Sequence, residues 1–182
     1  MRTTCTRTGL IALVGAMSVL LAACNGSVQG QPTTDTSASS GTTGSGDINK
    51  IDPCQLLPDD KLSSLEVEAP GKPERALSEN HCNYDGAKYL ISVGTSPTRS
   101  LDEYKKNAQN FDQLEANKVN GRPGVRLIVK GGTGQGGCTQ LLQVGSGTAL
   151  AEVTYRHGKH QGIDPCDTAM EIAKLIEPKL PR

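Results

Sequence analysis

The sequence of 182 residues is poor in aromatic side chains, with no tryptophan, one phenylalanine and four tyrosines. The core of a folded domain must therefore come mainly from leucine, isoleucine, valine and alanine. Few aromatic rings also argue against a platform on which sugars stack, because such platforms need exposed ring faces.

The chain also lacks an excess of charge, since it has 19 basic and 19 acidic residues. Nucleic-acid-binding proteins concentrate Lys and Arg on one surface to neutralise phosphates. The balance therefore predicts no nucleic-acid partner. Without a polybasic run, the chain also has no electrostatic means of gripping an anionic lipid surface.

Long hydrophobic runs are missing too, because the longest covers only residues 9–23. A membrane-spanning helix needs about 20 apolar residues. Arg2 and Arg7 precede this run, and Leu21-Ala22-Ala23-Cys24 ends it. This order of basic, apolar and small residues is typical of a secretory signal. We predict that residues 1–23 are a signal peptide.

Leu21-Ala22-Ala23-Cys24 resembles the end of a bacterial lipoprotein signal, in which the cysteine thiol takes a diacylglycerol and becomes the first residue. Two acyl chains hold a protein stably on a bilayer. We therefore predict lipidation at Cys24 and a cell-membrane location on the extracytoplasmic face. The alternative is an ordinary signal peptide that ends beside a cysteine.

The residues after Cys24 are rich in Thr, Ser and Gly, and only Val28 and Ala38 are apolar before residue 47. Such a segment cannot bury enough surface to offset its ordering entropy. We predict that residues 24–47 form a disordered tether, which as a Gly/Ser-rich coil spans about 26 Å. Residues 48–182 are long enough for a single globular domain.

Four further cysteines fall in this domain: Cys54, Cys82, Cys138 and Cys166. An exported domain with four cysteines is expected to form two disulfides, for which three pairings exist. The separation of 28 residues within both Cys54–Cys82 and Cys138–Cys166 favours that pairing. The alternative is a zinc site that combines cysteines with His81, His157 or His160, although the chain has no Cys-x-x-Cys pair.

The first and last of these cysteines end the same local sequence, Ile51-Asp52-Pro53-Cys54 and Ile163-Asp164-Pro165-Cys166. Asp is a good N-cap, and Pro fits the first helical position because its missing N–H costs nothing there. Both segments therefore predict the start of a helix whose first turn carries a cysteine.

Hydrophobic periodicity and turn signals predict three helices and five strands. The predicted helices are 52–65, broken at Pro58, then 100–111 with a Ser100/Glu103 capping box, and 164–177. The predicted strands are a hairpin over 82–93 that turns at Asp85-Gly86, followed by 125–130, 138–144 and 149–156. Turns are expected at 120–124, 131–137 and 145–147. This pattern predicts an α+β fold, with helices packed on a mostly antiparallel twisted sheet.

Motifs for catalysis or cofactor binding are missing from the domain. There is no Gly-x-Ser-x-Gly, and the glycine-rich segment 131–137 is not followed by Lys-Ser or Lys-Thr, so it is not a phosphate loop. We predict no catalytic residue, no cofactor and no metal. One small basic cluster is a candidate contact for an anionic envelope component, although it also fits a solvated loop: Arg156, His157, Lys159 and His160.

Taken in order, the motifs are Leu-Ala-Ala-Cys24, a Thr/Ser/Gly tether, Asp52-Pro53-Cys54-Gln55-Leu56-Leu57, Cys82-Asn83-Tyr84, Cys138 and Asp164-Pro165-Cys166. This series resembles a family of actinobacterial lipoproteins known only as a domain of unknown function. The family often has Trp where this chain has Tyr84. Related mycobacterial-type lipoproteins look similar to the fold of the photosystem protein PsbP and the transport factor Mog. The resemblance therefore implies an α/β/α sandwich and a binding or accessory role.

These observations favour a non-catalytic binding or accessory module of the cell envelope. Its partner is expected to be an envelope protein or a small hydrophobic or glycan ligand. The alternative is an envelope hydrolase whose site cannot be recognised in the sequence. A pocket that holds a histidine beside a serine or a carboxylate would favour this alternative.

Overall fold

A computed structural model describes residues 47–76 and 78–182. The predicted signal peptide, Cys24 and all but the last residue of the predicted tether lie outside the described residues. The assignments made for them therefore stay predictions. Within the described part of the chain, no helix combines the length and the apolar character that crossing a membrane requires.

The domain is built on one antiparallel sheet of seven strands in the order β1-β2-β3-β7-β6-β5-β4. The strands are β1 (Lys72–Ala76), β2 (Glu79–Asp85), β3 (Tyr89–Ser96), β4 (Phe111–Val119), β5 (Arg122–Val129), β6 (Gly137–Val144) and β7 (Gly147–Tyr155). β1 to β3 form one meander and β4 to β7 another, and pairing of β3 with β7 joins them. The predicted α+β class is confirmed.

Three α-helices accompany the sheet: α1 (Asp59–Leu62), α2 (Leu101–Lys106) and α3 (Pro165–Ile176). The side chain of Asp164 accepts a hydrogen bond from the Cys166 amide at 2.9 Å and caps α3. The apolar stripe of α3 is fully buried, namely Ala169, Ile172, Ala173 and Ile176. These residues share one core cluster with Leu142 and Val153 of the sheet. α3 therefore covers one face of the sheet.

α2 belongs to a second, smaller cluster. Its capping box forms as predicted, because Ser100 and Glu103 exchange side-chain and backbone hydrogen bonds. Leu101 and Tyr104 pack with a set of strand residues: Val125, Leu127, Leu141 and Leu150. Leu141 and Leu142 are consecutive residues of β6, and consecutive strand residues point to opposite faces of the sheet. α2 therefore lies on the face opposite to α3.

α2 is shorter than the predicted helix over 100–111. The Asn107 side chain donates to the Glu103 carbonyl at 2.8 Å, and a 3-10 turn, Ala108–Asn110, follows. Phe111 is extended and pairs with Val129 in the sheet. The predicted C-terminal end of this helix was therefore wrong, because Phe111 packs on α2's cluster from a strand.

The predicted broken helix over 52–65 is confirmed as broken. Pro53–Gln55 form one 3-10 turn, and α1 then begins after Pro58. Leu56, Leu57 and Leu62 are buried in the cluster beneath α3.

Two strands, β1 and β4, were not predicted. β1 is exposed along its whole length, so it has no apolar alternation to recognise. β4 contains a register shift between Phe111 and Gln113, which puts its apolar residues out of a strict two-residue period. Both strands owe their conformation to their neighbours in the sheet.

The predicted Asp85-Gly86 turn is wrong in position. Asp85 still pairs with Leu90, and the chain reverses after it. Gly86 instead bridges to Val67, and a Cβ at Gly86 would lie 2.8 Å from the Glu66 carbonyl oxygen. The glycine therefore permits a close approach of two backbones rather than a hairpin turn.

Both disulfides have the pairing that the spacing favoured, Cys54–Cys82 and Cys138–Cys166, with Cα–Cα distances of 5.0 and 5.1 Å. One ties the 3-10 turn Pro53–Gln55 to β2, and the other ties α3 to β6. Because all four sulfurs are bonded, the cysteine-ligated zinc alternative is wrong. A loop of this length gives about 3.6 kcal/mol in the loop-entropy model.

Candidate ligand-binding site

α2 covers only part of its face of the sheet, and two adjoining grooves cross the remainder. The larger has a volume of about 640 Å³ and is lined in part by His81, Leu90 and Ser92. The smaller has a volume of about 190 Å³ and lies against β5, β6 and the loop before β6. Glu152 and Thr154 of β7 line both grooves, which we together call the trough.

The trough gathers most of the large apolar surface that the described residues expose. The exposed large hydrophobic side chains are Leu90 (39 %), Val129 (58 %) and Ile163 (45 %). Leu90 lines the larger groove and Val129 the smaller. Because β3 and β5 are three strand spacings apart, the two side chains lie about 14 Å from each other across the sheet. The trough is therefore long, with an apolar wall towards each end.

Glu152 stands between these two walls. Its cross-strand neighbours are Ser92 on β3 and Thr139 on β6, both uncharged. Among the described carboxylates that make no hydrogen bond or ion pair within the chain, Glu152 is the one that is not exposed. Burial raises the pKa of its carboxyl, while nearby His81 acts to lower it and Glu79 to raise it. Glu152 is thus a half-buried acid without a counter-ion.

His81 connects a hydroxyl to a carboxylate on the same face. Its Nδ1 lies 3.2 Å from the Ser92 Oγ, and its Nε2 lies 3.4 Å from Glu79 Oε2. Glu79 is also 3.3 Å from the Arg99 guanidinium, which stacks over the Tyr104 ring at 5.0 Å. The imidazole of His81 is thus linked through Glu79 and Arg99 to Tyr104 of α2.

A glycine in β3 makes room for the imidazole. Gly94 pairs with His81 across β2 and β3, and a Cβ there would lie 2.7 Å from His81 Nδ1. The ring therefore lies flat over a strand position that has no side chain. A glycine inside a strand often marks such a close approach, and this was the one sequence signal that pointed towards the site.

The charged groups at the rim already have partners. Lys72 donates to Asp85 at 2.8 Å, and Arg156 approaches the same carboxylate at 3.6 Å. Asn83 donates to Glu74 across β1 and β2. Among the described residues, ion pairs therefore neutralise the charged groups at the rim of the trough but not Glu152.

The loop that borders the smaller groove is held at two points. Asp112 accepts hydrogen bonds from the amides of Gly131 and Thr133 at 2.9 and 3.3 Å. Hydrogen bonds from Thr133 lower the pKa of Asp112, with the largest contribution from the Thr133 hydroxyl and a smaller one from its amide. On the other side, His160 Nε2 lies 3.1 Å from the Gly134 carbonyl oxygen. The loop is thus a fixed wall.

The residues of the predicted basic cluster do not act together, because Arg156 and His160 bond to different segments. The Arg156 Nε donates to the Gly86 carbonyl at 2.8 Å, whereas His160 contacts the loop before β6. His157 and Lys159 are exposed. A docking role for the cluster stays a prediction. The trough itself was not predicted, because His81, Ser92 and Glu152 meet only when β2, β3 and β7 pair.

The sheet, its two disulfides and the trough define a sheet-dominated α+β domain that carries a ligand-sized groove. The chain belongs to the DUF3558 family, described as a protein of unknown function, whose model matches residues 19–179. Neither the curated proteins nor the solved structures gave a significant match.

Proposed function

We propose that the protein is a non-catalytic module that binds a small ligand in the trough, held at the extracytoplasmic face of the cell membrane by lipid on Cys24. The observation that carries this proposal is the trough's lining, in which two exposed aliphatic side chains flank an unpartnered carboxylate. Ligand sites combine apolar walls with a few convergent polar groups in this way.

The size of the trough favours a small ligand over an envelope protein. Small-molecule sites have volumes of about 300 to 1,000 Å³, and the larger groove alone falls in this range at about 640 Å³. A docking face for a protein would be a larger and flatter exposed patch. The expected α/β/α arrangement is part of the proposal, supported by α2 and α3 packing on separate clusters.

A variant with a filled trough tests the ligand. Thr154 is an exposed residue of the trough, so Thr154→Trp blocks it without disturbing the core. Native mass spectrometry of protein extracted from membranes should show a bound small molecule on the wild type and on the control Asp167→Trp, but not on Thr154→Trp. An unchanged adduct, or a crosslinked protein partner that Thr154→Trp removes, would overturn the small-ligand proposal.

A separate experiment tests the anchor. Cys24→Ala should stop palmitate incorporation and move the protein from the membrane fraction to the soluble fraction. Cys5→Ala, in the predicted signal peptide, is the matched control and should change neither. Retention of the Cys24→Ala protein in the membrane fraction would contradict lipid anchoring.

The contacts of His81 support a hydrolase as the second candidate. A serine, an imidazole and a carboxylate in line are the groups of an acyl-transfer triad. Such a reaction also needs donors that converge on an oxyanion. Ser92 lies in the middle of β3 between β2 and β7, where backbone amides are engaged in the sheet. We therefore rank binding first. Hydrolysis of p-nitrophenyl acetate that Ser92→Ala abolishes would reverse this order.

A further inference from the structure

The Glu152 carboxylate at the centre of the trough lacks a positively charged partner among the described residues. An ionised carboxylate that is partly withdrawn from water costs free energy unless a positive group or hydrogen-bond donors accompany it. Glu152 has uncharged neighbours on β3 and β6, and the side chains that act on its pKa are His81 and Glu79 of β2. Both ring nitrogens of His81 already have partners, Ser92 and Glu79, so neither of them bonds to Glu152.

The surroundings of Glu152 define the rest of the ligand. Leu90 is diagonal to Glu152 across β3 and β7, and Val129 lies beyond β6 on the other side. A molecule whose charge sits over Glu152 therefore meets aliphatic surface on at least one side. The rim contributes no competing cation, since Lys72 is paired with Asp85.

From this geometry we propose, on the basis of the proposed function, that the trough takes a small amine. Its ammonium or guanidinium group pairs with the Glu152 carboxylate, and its aliphatic part lies along Leu90 or towards Val129. The ligand supplies the counter-ion that residues 47–76 and 78–182 do not. Charge-assisted hydrogen bonds of this kind are roughly twice as strong as neutral ones.

The acidity of Glu152 predicts how pH affects the binding of such a ligand. Burial raises the pKa of this carboxyl, so Glu152 ionises over a higher pH range than an exposed glutamate. At acid pH, protonated Glu152 cannot pair with an ammonium. Two side chains of β2 also act on the pKa of Glu152, which His81 lowers and Glu79 raises. β3 and β6 place only the uncharged side chains of Ser92 and Thr139 beside Glu152. Affinity for an amine should therefore rise with pH.

The test compares hexylamine with hexan-1-ol and hexanoate, which share its aliphatic chain. The full chain is held in phosphatidylcholine nanodiscs, and binding is followed by the amide shifts of Ser92, Glu152 and Thr154. The expected result is that hexylamine binds about tenfold more tightly than hexan-1-ol, and that hexanoate binds most weakly. Hexylamine affinity should rise with pH as Glu152 ionises, over a higher pH range than for an exposed glutamate.

Two matched variants isolate the charge. Glu152→Gln keeps the size of the side chain and should make hexylamine and hexan-1-ol equal. Glu171→Gln removes an exposed carboxylate of α3, on the opposite face, and should change nothing. If hexylamine and hexan-1-ol shift the trough amides equally in the wild type, the amine proposal fails and the ligand site stands. If no probe shifts these amides, the amine proposal fails together with the proposed function.

Discussion

The chain uses Ile-Asp-Pro-Cys twice, and the two copies lead to different structures. In both, the aspartate Oδ1 accepts from the cysteine amide at 2.9 Å, and the cysteine is bonded to one 28 residues away. After the first copy the helix lasts for a single 3-10 turn, Pro53–Gln55, whereas the second copy opens the twelve residues of α3.

The residues that follow each copy account for this difference. Pro58 comes six positions after Asp52, and a residue before proline is disfavoured in the helical region. The equivalent position after Asp164 is Met170, a good helix former. A stripe at helical spacing then continues through α3 and is buried by the sheet. A cap and a disulfide therefore determine where a helix starts but not how far it runs.

The largest predicted effect tests whether the two disulfides are equivalent. Because both close loops of the same length, Cys54→Ala/Cys82→Ala and Cys138→Ala/Cys166→Ala should each lower the free energy of unfolding by about 3.6 kcal/mol. Urea unfolding of both double variants, with the wild type as reference, measures this. A clearly larger loss of unfolding free energy for the Cys138–Cys166 variant would contradict this equivalence. It would mean that α3 depends more strongly on its disulfide than the turn Pro53–Gln55 does.

The second-largest effect is expected from a proline that interrupts α3 as Pro58 interrupts the chain after the turn Pro53–Gln55. Met170→Pro places a proline at the position equivalent to Pro58 and should cost about 3 kcal/mol, because it removes a helical hydrogen bond and clashes with the preceding turn.

Met170→Ala is the control for lost side-chain packing, and the effect of proline is the difference between the two variants. Helical circular dichroism should fall only for Met170→Pro. Equal stability and equal helicity of the two variants would contradict the role given to Pro58.

The smallest effect concerns the two caps. Asp164→Ala should cost about 1 kcal/mol, since it removes the acceptor for an N-terminal amide of α3. Asp52→Ala should cost less, because the turn it caps ends after three residues. Asp164→Asn keeps an acceptor and should be nearly neutral. A loss at Asp164→Asn as large as that at Asp164→Ala would indicate that charge, such as the approach of Arg126 at 3.9 Å, matters more than the cap.

The parts of the fold predicted from sequence are those specified by neighbouring residues. The capping box at Ser100 depends on residues three apart, and the stripe of α3 on a period that one helix face imposes. The Cys54–Cys82 pairing followed from a repeated spacing. β1 and the bulged β4 could not be predicted, because their conformation depends on strands elsewhere in the chain.

The candidate site shows the same limit more strongly. His81 was predicted as a possible zinc ligand and as one of three histidines whose place beside a serine or a carboxylate would favour a hydrolase. Ser92 and Glu152 were not singled out. Within β7, Glu152 interrupts an otherwise apolar stretch, but a strand residue on a solvated face does the same. Only the pairing of β3 with β2 and β7 makes these three residues neighbours.

By itself, the sequence determined the helix starts, the disulfide partners and the α+β class, because caps, cysteine spacing and apolar periods act over short stretches or are set by composition. The tertiary structure alone decided that α2 covers only part of a sheet face and leaves a trough that contains Glu152. It also decided that Arg122 bonds Glu177 at 3.0 Å and the carbonyls near the C-terminus. Such contacts join residues more than 50 positions apart, and the energy that selects them exists only after the chain has folded.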